Sequence, residues 1–331
     1  ATASICQIVE DNCLELREKI LRLIFDVGNS VRTNPKTQHN IRAGFDYFWM
    51  TQFHSRPYTQ SAQLNNSAKL FALFEILQVN KITKLTVYSN DKSLSKVFAS
   101  IAKMLHIEFQ TARAKNSSKN ISAAVRIKKF APRPMLAIAA LLRQCKTSIA
   151  LKQKPKRVVK PNSISFFDYW YRFADSVSTD RKFASQYWSR LVEELDHTEI
   201  NWWHNLVDQN KLVELNTAKS LLTDFNQHPR HIHKIVDARV SFKVVLRSIV
   251  DHGHLFIKSM PGKKFAPSFV DQNTGINFWP LFKREWLNSY RGYEALVNCL
   301  RFNRLESLIS TMPHQKLGVY LIENQPWEMA M

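Results

Sequence analysis

Apolar and polar positions alternate along this chain with a spacing that switches repeatedly between helix and strand. Residues 9–27 repeat apolar side chains every three or four positions, which predicts an amphipathic helix that Gly28 ends. An aromatic block follows at 45–53, and Ser67 is predicted to cap a helix over 68–79. Further helices are predicted at 91–105, 181–195, 215–225, 235–250 and 282–312. Apolar, β-branched runs predict strands at 81–88, 107–110, 163–167, 200–203 and 317–322.

The order of these elements predicts the fold class. Helices alternating with strands are typical of a mainly parallel sheet that helices cover on both faces. We therefore expect an α/β protein with a Rossmann-like sheet and an extra helical region. The predicted parts are an α/β portion over 1–125, a basic and apolar segment over 126–160, a continuation of the α/β domain over 161–322 with a helical insertion at 228–312, and the start of another helix at 323–331.

The last of these segments carries an expectation of its own. Pro326 stands where a helix takes a proline in its first turn, and only five residues follow it. Five residues are too few for a stable isolated helix. We therefore expect the natural polypeptide to continue beyond Met331.

Glycine is scarce, and this limits the phosphate chemistry open to the chain. Seven of 331 residues are glycine, against a usual frequency of roughly 7%. No two are close enough for a G-x-G-x-x-G or G-x-x-x-x-G-K-[ST] motif. A bound phosphate is therefore expected to contact side chains and helix N-termini.

Cysteine usage and apolar run lengths bear on the compartment. The four cysteines are scattered, without a C-x-x-C pair, which favours a reducing environment. No N-terminal segment has the pattern of a signal peptide. The longest apolar run, 134–142, is about half of the ~18 to 20 residues that cross a bilayer. The sequence predicts a cytoplasmic protein.

Positive charge is concentrated in one segment. The chain has 47 Lys and Arg against 27 Asp and Glu, a formal net charge of +20. Segment 126–160 has an apolar centre with cations on either side and no acidic residue, a pattern typical of a helix lying in an anionic membrane interface. The predicted membrane-binding residues are Arg126, Lys128, Lys129, Arg133, Lys152, Lys154, Lys156 and Arg157. A core helix followed by a solvated basic linker is the alternative, and nucleic acid binding is another.

Four stretches carry a resemblance to a known family. They are FDYFWMTQFHSRPYTQSAQLNNSAKLFALFEIL (45–77), the pair FASQYWSRL (183–191) and INWWHNLV (200–207), and the closing YLIENQPWEMA (320–330). With these the chain resembles bacterial surface carbohydrate biosynthesis proteins of O-antigen and capsule gene clusters. That family in turn resembles glycosyltransferases with two Rossmann-like domains, the GT-B type.

The resemblance implies a function and a place for this chain in a larger protein. It implies a nucleotide-sugar donor, no covalently bound cofactor, and a glycan or lipid-linked acceptor on the inner face of the inner membrane. Because the family continues past the E-N-Q-x-W-E stretch, it implies that this chain is the acceptor-facing half. A specific nucleic acid partner is not expected.

Two carboxylates follow predicted strands and are the candidate catalytic bases. Asp168 comes directly after 163–167, and Glu323 comes after 317–322. Ligands of parallel α/β sheets collect beyond the carboxyl ends of the strands. A carboxylate there can take a proton from a sugar hydroxyl. A solvated strand end or a helix cap is the alternative for each residue.

Substrate-binding candidates lie near aromatic side chains. His204 ends the predicted strand at 200–203, and His54 and Arg56 follow the aromatic block. A structural role in the core or in an ion pair is the alternative for these three. The cluster after the last strand, for which a helix cap is the alternative, adds Asn324, Gln325, Trp327 and Glu328.

Histidine clusters at 228–233 and 252–254 are the only metal-like patterns. Their spacing lacks matching cysteine or acidic ligands, so we expect no metal site and interpret both as hydrated loop and helix-end positions. The leading hypothesis is therefore a glycosyltransferase. The alternatives are a non-catalytic basic scaffold on a membrane or anionic polymer, and a nucleic-acid-binding module.

Overall fold

A computed structural model describes residues 4–55, 61–112, 133–152, 157–170, 181–206, 215–323 and 325–331. The chain divides into two compact units, and each is built from two segments. The first unit contains Ala1–Leu136 and His252–Ala295, and the second contains Ala137–Asp251 and Leu296–Met331. The divisions expected after residues 125, 160 and 322 stay predictions.

The first unit is mostly helical, with two small sheets. Its first elements are α1 (Ile5–Asp11), α2 (Cys13–Thr33), β1 (Asn40–Arg42), β2 (Phe45–Asp46), α3 (Gln52–Ser55), α4 (Ala62–Val79), β3 (Lys84–Tyr88), α5 (Lys92–Met104) and β4 (Glu108–Ala112). Strands β1 and β2 pair antiparallel, while β3 and β4 pair parallel. Asp91 caps α5, because its carboxylate accepts from the backbone N–H groups of Ser93 and Leu94.

The aromatic block at 45–53 forms part of the core of the first unit. Tyr47 and Met50 lie in a 3-10 turn and are fully buried. The hydroxyl of Tyr47 donates to the carbonyl oxygen of Ser289 at 2.9 Å, and Phe53 packs edge-on to Trp286. These aromatic residues therefore stabilise the fold.

Helix α2 corrects the expectation that Gly28 ends the first helix. The helix runs on to Thr33, and Gly28 lies inside it. A Cβ atom at Gly28 would lie 2.7 Å from the ring of Phe48. The absence of a side chain therefore serves close packing here and not a turn. Similarly, helix α4 begins after Ser61, so the predicted cap Ser67 lies in its interior.

The second unit contains a four-stranded parallel sheet. Its strands are β5 (Ile164–Tyr169), β6 (Ile200–Asn205), β7 (His231–Ile235) and β8 (Leu317–Tyr320), in the spatial order β7-β6-β5-β8. The chain enters this sheet at β5, continues outward through β6 to β7, and then returns to form β8 on the other side of β5. The predicted parallel α/β sheet is confirmed, and its strand order is compatible with a Rossmann-like fold.

Helices and loops cover both faces of this sheet. The remaining helices of the chain are α6 (Arg133–Leu151), α7 (Ser189–Glu194), α8 (Leu215–Phe225), α9 (Phe242–Lys258), α10 (Trp279–Arg291), α11 (Tyr293–Thr311) and α12 (Pro326–Ala330), and α10 belongs to the first unit. On one face, Phe183 and Phe225 of α8 pack against His233. On the other, Trp203 packs in one cluster with Leu305 of α11 and Trp327 of α12.

Several predicted boundaries in this part of the chain are wrong. The helical insertion expected at 228–312 contains strand β7, and of the helix expected at 181–195 only Ser189–Glu194 is helical. The helix expected at 282–312 is two helices, because Gly292 adopts an extended conformation between α10 and α11. The strand expected at 163–167 extends to Tyr169.

Strand β7 lies at one edge of the described sheet, and a side chain covers part of that edge. The amide of Asn226 donates to the carbonyl oxygen of His233 at 2.9 Å and accepts from its N–H at 2.8 Å. Asn226 therefore makes the two hydrogen bonds that a further strand would make at this residue.

Helix α6 lies within the predicted membrane-facing segment. It buries Ala137 and Leu141 in a cluster with Val244 of α9, while Ile138, Leu142 and Ile149 are exposed. No helix among the described residues is long and apolar enough to cross a membrane. The flanking residues 126–132 and 153–156 lie outside the described ranges.

Candidate functional site

The carboxyl ends of β5 and β8 meet at the point where the strand order reverses. In open parallel sheets this point leaves a crevice in which ligands bind. Residues that follow all four strands reach this edge, and helix α11 supplies two arginines beside them. This end of the sheet, where the sequence predicts the site, is therefore the candidate site described here.

Asp168 lies inside β5 and not beyond its end, contrary to the prediction. Its side chain is on the covered face of the sheet and the residue is only 1% exposed. One carboxylate oxygen accepts from the N–H of Tyr169 at 2.7 Å, and the other accepts from the hydroxyl of Ser185 at 3.4 Å. Burial raises the pKa of Asp168 to about 6, and the negative charge of Glu323 contributes. Asp168 is thus a carboxyl group poised near neutral pH but closed off from solvent.

Glu323 is the carboxylate that remains accessible at this edge. It follows β8, and it accepts a hydrogen bond from the hydroxyl of Tyr187 at 2.6 Å. Because this bond holds one oxygen, the carboxylate is oriented before any substrate arrives.

The stretch after Glu323 is chiefly a helix cap, the alternative that the sequence left open. Gln325 and Glu328 form a capping box at the start of α12, with Pro326 in the first turn as expected. The Glu328 carboxylate accepts from the N–H groups of Glu323 and Gln325, at 2.8 and 3.0 Å. Asn324 lies outside the described residues.

Tyr169 connects this cap to the end of β5. Its hydroxyl donates to Glu328 at 2.8 Å and accepts from the indole N–H of Trp327 at 3.1 Å. Burial and the carboxylate of Glu328 raise the pKa of Tyr169, so the phenol keeps its proton. Trp327 and Glu328 are both buried, and they therefore stabilise the edge of the sheet in this closed arrangement.

A small cavity of about 30 Å³ remains between these residues and α11. It has room for one or two water molecules. Tyr169, Gln325 and Trp327 line it on the side of β5 and β8, and Asn205 and Asp237 line it at the ends of β6 and β7. The edge is thus nearly filled by side chains.

Two arginines of α11 lie at this cavity, and sequence reasoning missed both. Arg304 is buried, and its guanidinium donates to Asp237 and to the hydroxyl of Ser148, each at 2.8 Å. Asp237 also accepts from the N–H of Leu206 at 2.7 Å. This ion pair connects α11 to the ends of β6 and β7. Arg301 lines the same cavity and has no hydrogen-bond or ion-pair partner among the described residues.

His204 is fully buried, which contradicts its expected place at an exposed strand end. Strand β6 continues to Asn205, and the His204 ring stacks on that of His233 with 3.1 Å between their nitrogens. Burial lowers the pKa of His204 to about 3. Burial also lowers the pKa of His233, and repulsion from His204 and His231 lowers it further. These imidazoles are therefore neutral core residues.

The other histidine expectations are corrected in a similar way. His231 and His233 lie in β7 and not in a hydrated loop, and His252 and His254 lie within α9. Among the described residues no group of three or more potential ligands is placed to hold a metal ion.

His54 lies in the first unit, whereas Asp168 lies in the second. It is buried in α3, with its ring edge-on to Trp49 at 4.7 Å between centroids. It also lines a cavity of about 330 Å³ in the first unit, together with Trp49 and Arg32, so its predicted binding role stays a prediction. Arg56 lies outside the described residues.

Of the predicted membrane-binding cations, Lys152 and Arg157 have described side chains. Lys152 is exposed. Arg157 donates to the carbonyl oxygens of His228, Pro229 and His231, the last at 2.9 Å, so it stabilises the entry to β7. Arg126, Lys128, Lys129, Lys154 and Lys156 lie outside the described residues, as does the side chain of Arg133.

The chain was also compared with known proteins. It matches no protein-family model, no curated protein and no solved structure. The geometry of the second unit and the resemblance in its motifs are therefore the basis for a functional proposal.

Proposed function

We propose that this chain is part of a glycosyltransferase-like protein of bacterial surface polysaccharide synthesis. It transfers a sugar from a nucleotide-activated donor to a glycan or lipid-linked acceptor, with the sheet of the second unit as one half of a GT-B-type enzyme. The observation that carries the proposal is the strand order β7-β6-β5-β8, because Glu323 follows β8 at its reversal point and Arg301 lines the small cavity at the same end of the sheet. The family resemblance supports the same function.

The proposed chemistry uses Glu323 and Arg301. The acceptor oxygen forms a bond to the anomeric carbon of the sugar as the bond from that carbon to the phosphate oxygen breaks. Glu323 takes the acceptor proton, and the nucleotide leaves with the bonding electron pair. Arg301 stabilises the charge that grows on the departing phosphate. Glu323 is favoured over Asp168 as the base because Asp168 is buried.

Substrate entry requires a local opening. Sites for small molecules have volumes of about 300 to 1,000 Å³, whereas the cavity at this edge measures about 30 Å³. Gln325 and Trp327 cover the crevice, so the start of α12 has to move when substrate binds. This movement breaks the bond between Trp327 and Tyr169.

Binding and turnover test this proposal separately. Titration calorimetry with nucleoside diphosphates of each base should detect binding, and Arg301→Ala should weaken it by about tenfold or more. Arg190→Ala is a matched control, because Arg190 is exposed on α7 and pairs only with Glu194. Glu323→Gln should keep nucleotide binding but lose release of nucleotide from a donor sugar. Absence of binding for every nucleotide, or equal binding by Arg301→Ala, would reject the proposal.

Membrane association is the second candidate function, and the exposed face of α6 favours it. Ile138, Leu142 and Ile149 are apolar and open to solvent, while the helix contains no acidic residue. Such a face can enter a bilayer interface when cations lie near anionic headgroups. The protein would then be peripheral on the inner face of the inner membrane, close to a lipid-linked acceptor. Failure to sediment with anionic vesicles at low salt would reject this candidate.

A further inference from the structure

A second, larger cavity lies beside strand β7, away from the reversal point. Its volume is about 710 Å³, within the range of small-molecule sites. It is enclosed by the end of α6, the strand β7, helix α8 and the first turn of α9, all in the second unit. The cavity is therefore large enough for a ligand in the structure as it stands.

The lining of this cavity is strongly cationic. Lys152, Arg157, Lys234 and Arg239 line it, and none of its described lining residues is acidic. Arg157 and Arg239 have neutral partners, since Arg239 donates to the hydroxyl of Thr311 at 3.1 Å. Lys152 and Lys234 have no ion-pair partner among the described residues. The positive charge of the cavity is thus uncompensated by the described residues.

Lys234 of β7 is a partly buried cation of this cavity, and its ammonium lies 5.7 Å from the centre of the Trp203 ring. Desolvation and the charge of Arg239 lower the pKa of Lys234. A bound anion offsets that repulsion.

Part of the remaining lining is apolar, and exposed apolar side chains lie next to it in the chain. Leu151, Leu222 and Val244 supply an apolar wall. Phe242 follows the lining residue Ser241 and is 83% exposed, and Ile149 stands two residues before the lining residue Leu151 and is 72% exposed. Large apolar side chains that are this exposed are costly in water. The combination of charge and apolar surface fits an amphiphile.

We propose that this cavity binds the phosphate headgroup of an anionic lipid, with the lipid chain along Phe242 and Ile149. Lys152 and Lys234 contact the phosphate oxygens. This inference goes beyond the proposed sugar transfer and does not depend on it. The small cavity at the reversal point and the cavity beside β7 have no lining residue in common.

Vesicle binding by charge variants tests this inference. Phosphatidylcholine vesicles with and without phosphatidic acid are titrated with the wild type, the double variant Lys152→Gln/Lys234→Gln, and the control Lys316→Gln. Lys316 is exposed at the opposite end of the sheet, before β8. Affinity for phosphatidic acid should fall about 30-fold in the double variant, as expected for two cations at an anionic surface. The control should fall much less.

The other outcomes are also decisive. Equal vesicle binding by the double variant and the control would show that the cavity is not the site. Binding of inorganic pyrophosphate that depends on Lys152 and Lys234, without vesicle binding, would assign the cavity to a soluble phosphate and overturn the lipid part. Circular dichroism checks that the variants are folded. Nucleotide binding should be unchanged in the double variant. If the wild type binds no nucleotide but does bind phosphatidic acid vesicles, the proposed function is rejected and the lipid proposal stands.

Discussion

Acid sensitivity should follow from the buried imidazole of His204. The ring is enclosed by Trp170, Trp202 and Phe183, and it lies against the neutral ring of His233. Its pKa falls from 6.5 to about 3 because burial opposes the charged form. The unfolded chain therefore takes up a proton first as the pH falls. The stabilising contribution is complete above pH 6.5 and is lost progressively down to about pH 3.

The size of this effect follows from the difference in pKa. One pH unit corresponds to about 1.4 kcal/mol for one proton bound only by the unfolded state. Between pH 7 and pH 5 the neutral His204 should therefore lower the free energy of unfolding by about 2 kcal/mol. Asp168 acts in the opposite direction, since its pKa is raised to about 6 and its folded form gains protons first. Other groups contribute as well, so a comparison with a variant is needed.

Urea denaturation of the wild type and His204→Gln at pH 7, 6 and 5 isolates this contribution. Glutamine keeps an N–H donor near the position of Nε2, which faces Nδ1 of His233. Contributions from Asp168 and the more distant histidines cancel in the difference between the two proteins, and the pKa of His233 stays low because burial is its largest cause. The variant should lose about 2 kcal/mol less than the wild type between pH 7 and pH 5, with an unchanged denaturant slope. Parallel pH dependences for the two proteins would refute the reasoning.

Two further predictions concern stability. Asp237→Asn should lower the free energy of unfolding in urea by about 3 to 5 kcal/mol, because it leaves the buried Arg304 without its charge partner. Arg190→Ala, at an exposed ion pair, should lower it by less than about 1 kcal/mol. Similar losses in the two variants would contradict this prediction. Gly28→Ala should lower the melting temperature because its Cβ would meet the Phe48 ring, while Gly253→Ala, with open space around it, should raise stability by about 1 kcal/mol. A stabilised Gly28→Ala protein would show that the ring gives way.

The periodicity of apolar residues predicted the parallel α/β sheet, because the spacing that distinguishes a helix from a strand lies within each short segment of the chain. Helix α8 was predicted at its observed bounds, because its apolar spacing is complete between Leu215 and Phe225. The predicted strand at 163–167 ended too early because a carboxylate normally marks the end of a buried run. Asp168 is instead buried inside β5, where its carboxylate accepts a hydrogen bond from the N–H of Tyr169. Strand β7 was missed because alternating histidines look polar, and their burial depends on Trp202 and Phe225 from other elements.

The sequence proposed a site at the carboxyl ends of the strands, and that site stays a prediction. Glu323 was selected because the predicted strand ran to residue 322, whereas β8 ends at Tyr320. Arg301 and Arg304 could not be selected from the sequence, since a helical pattern gives no information on which turn of α11 meets the ends of β6 and β7. The cavity beside β7 was also beyond the sequence, because Lys152 and Lys234 are far apart in the chain and only folding brings them together.

The amide of Asn226 also bears on how this protein behaves at high concentration. An open strand edge is a template on which a second molecule can add its own strand and begin aggregation. Asn226 occupies both backbone groups of His233, so such growth would first have to displace two hydrogen bonds. A single side chain thus gives the edge of the sheet a measure of protection against self-association.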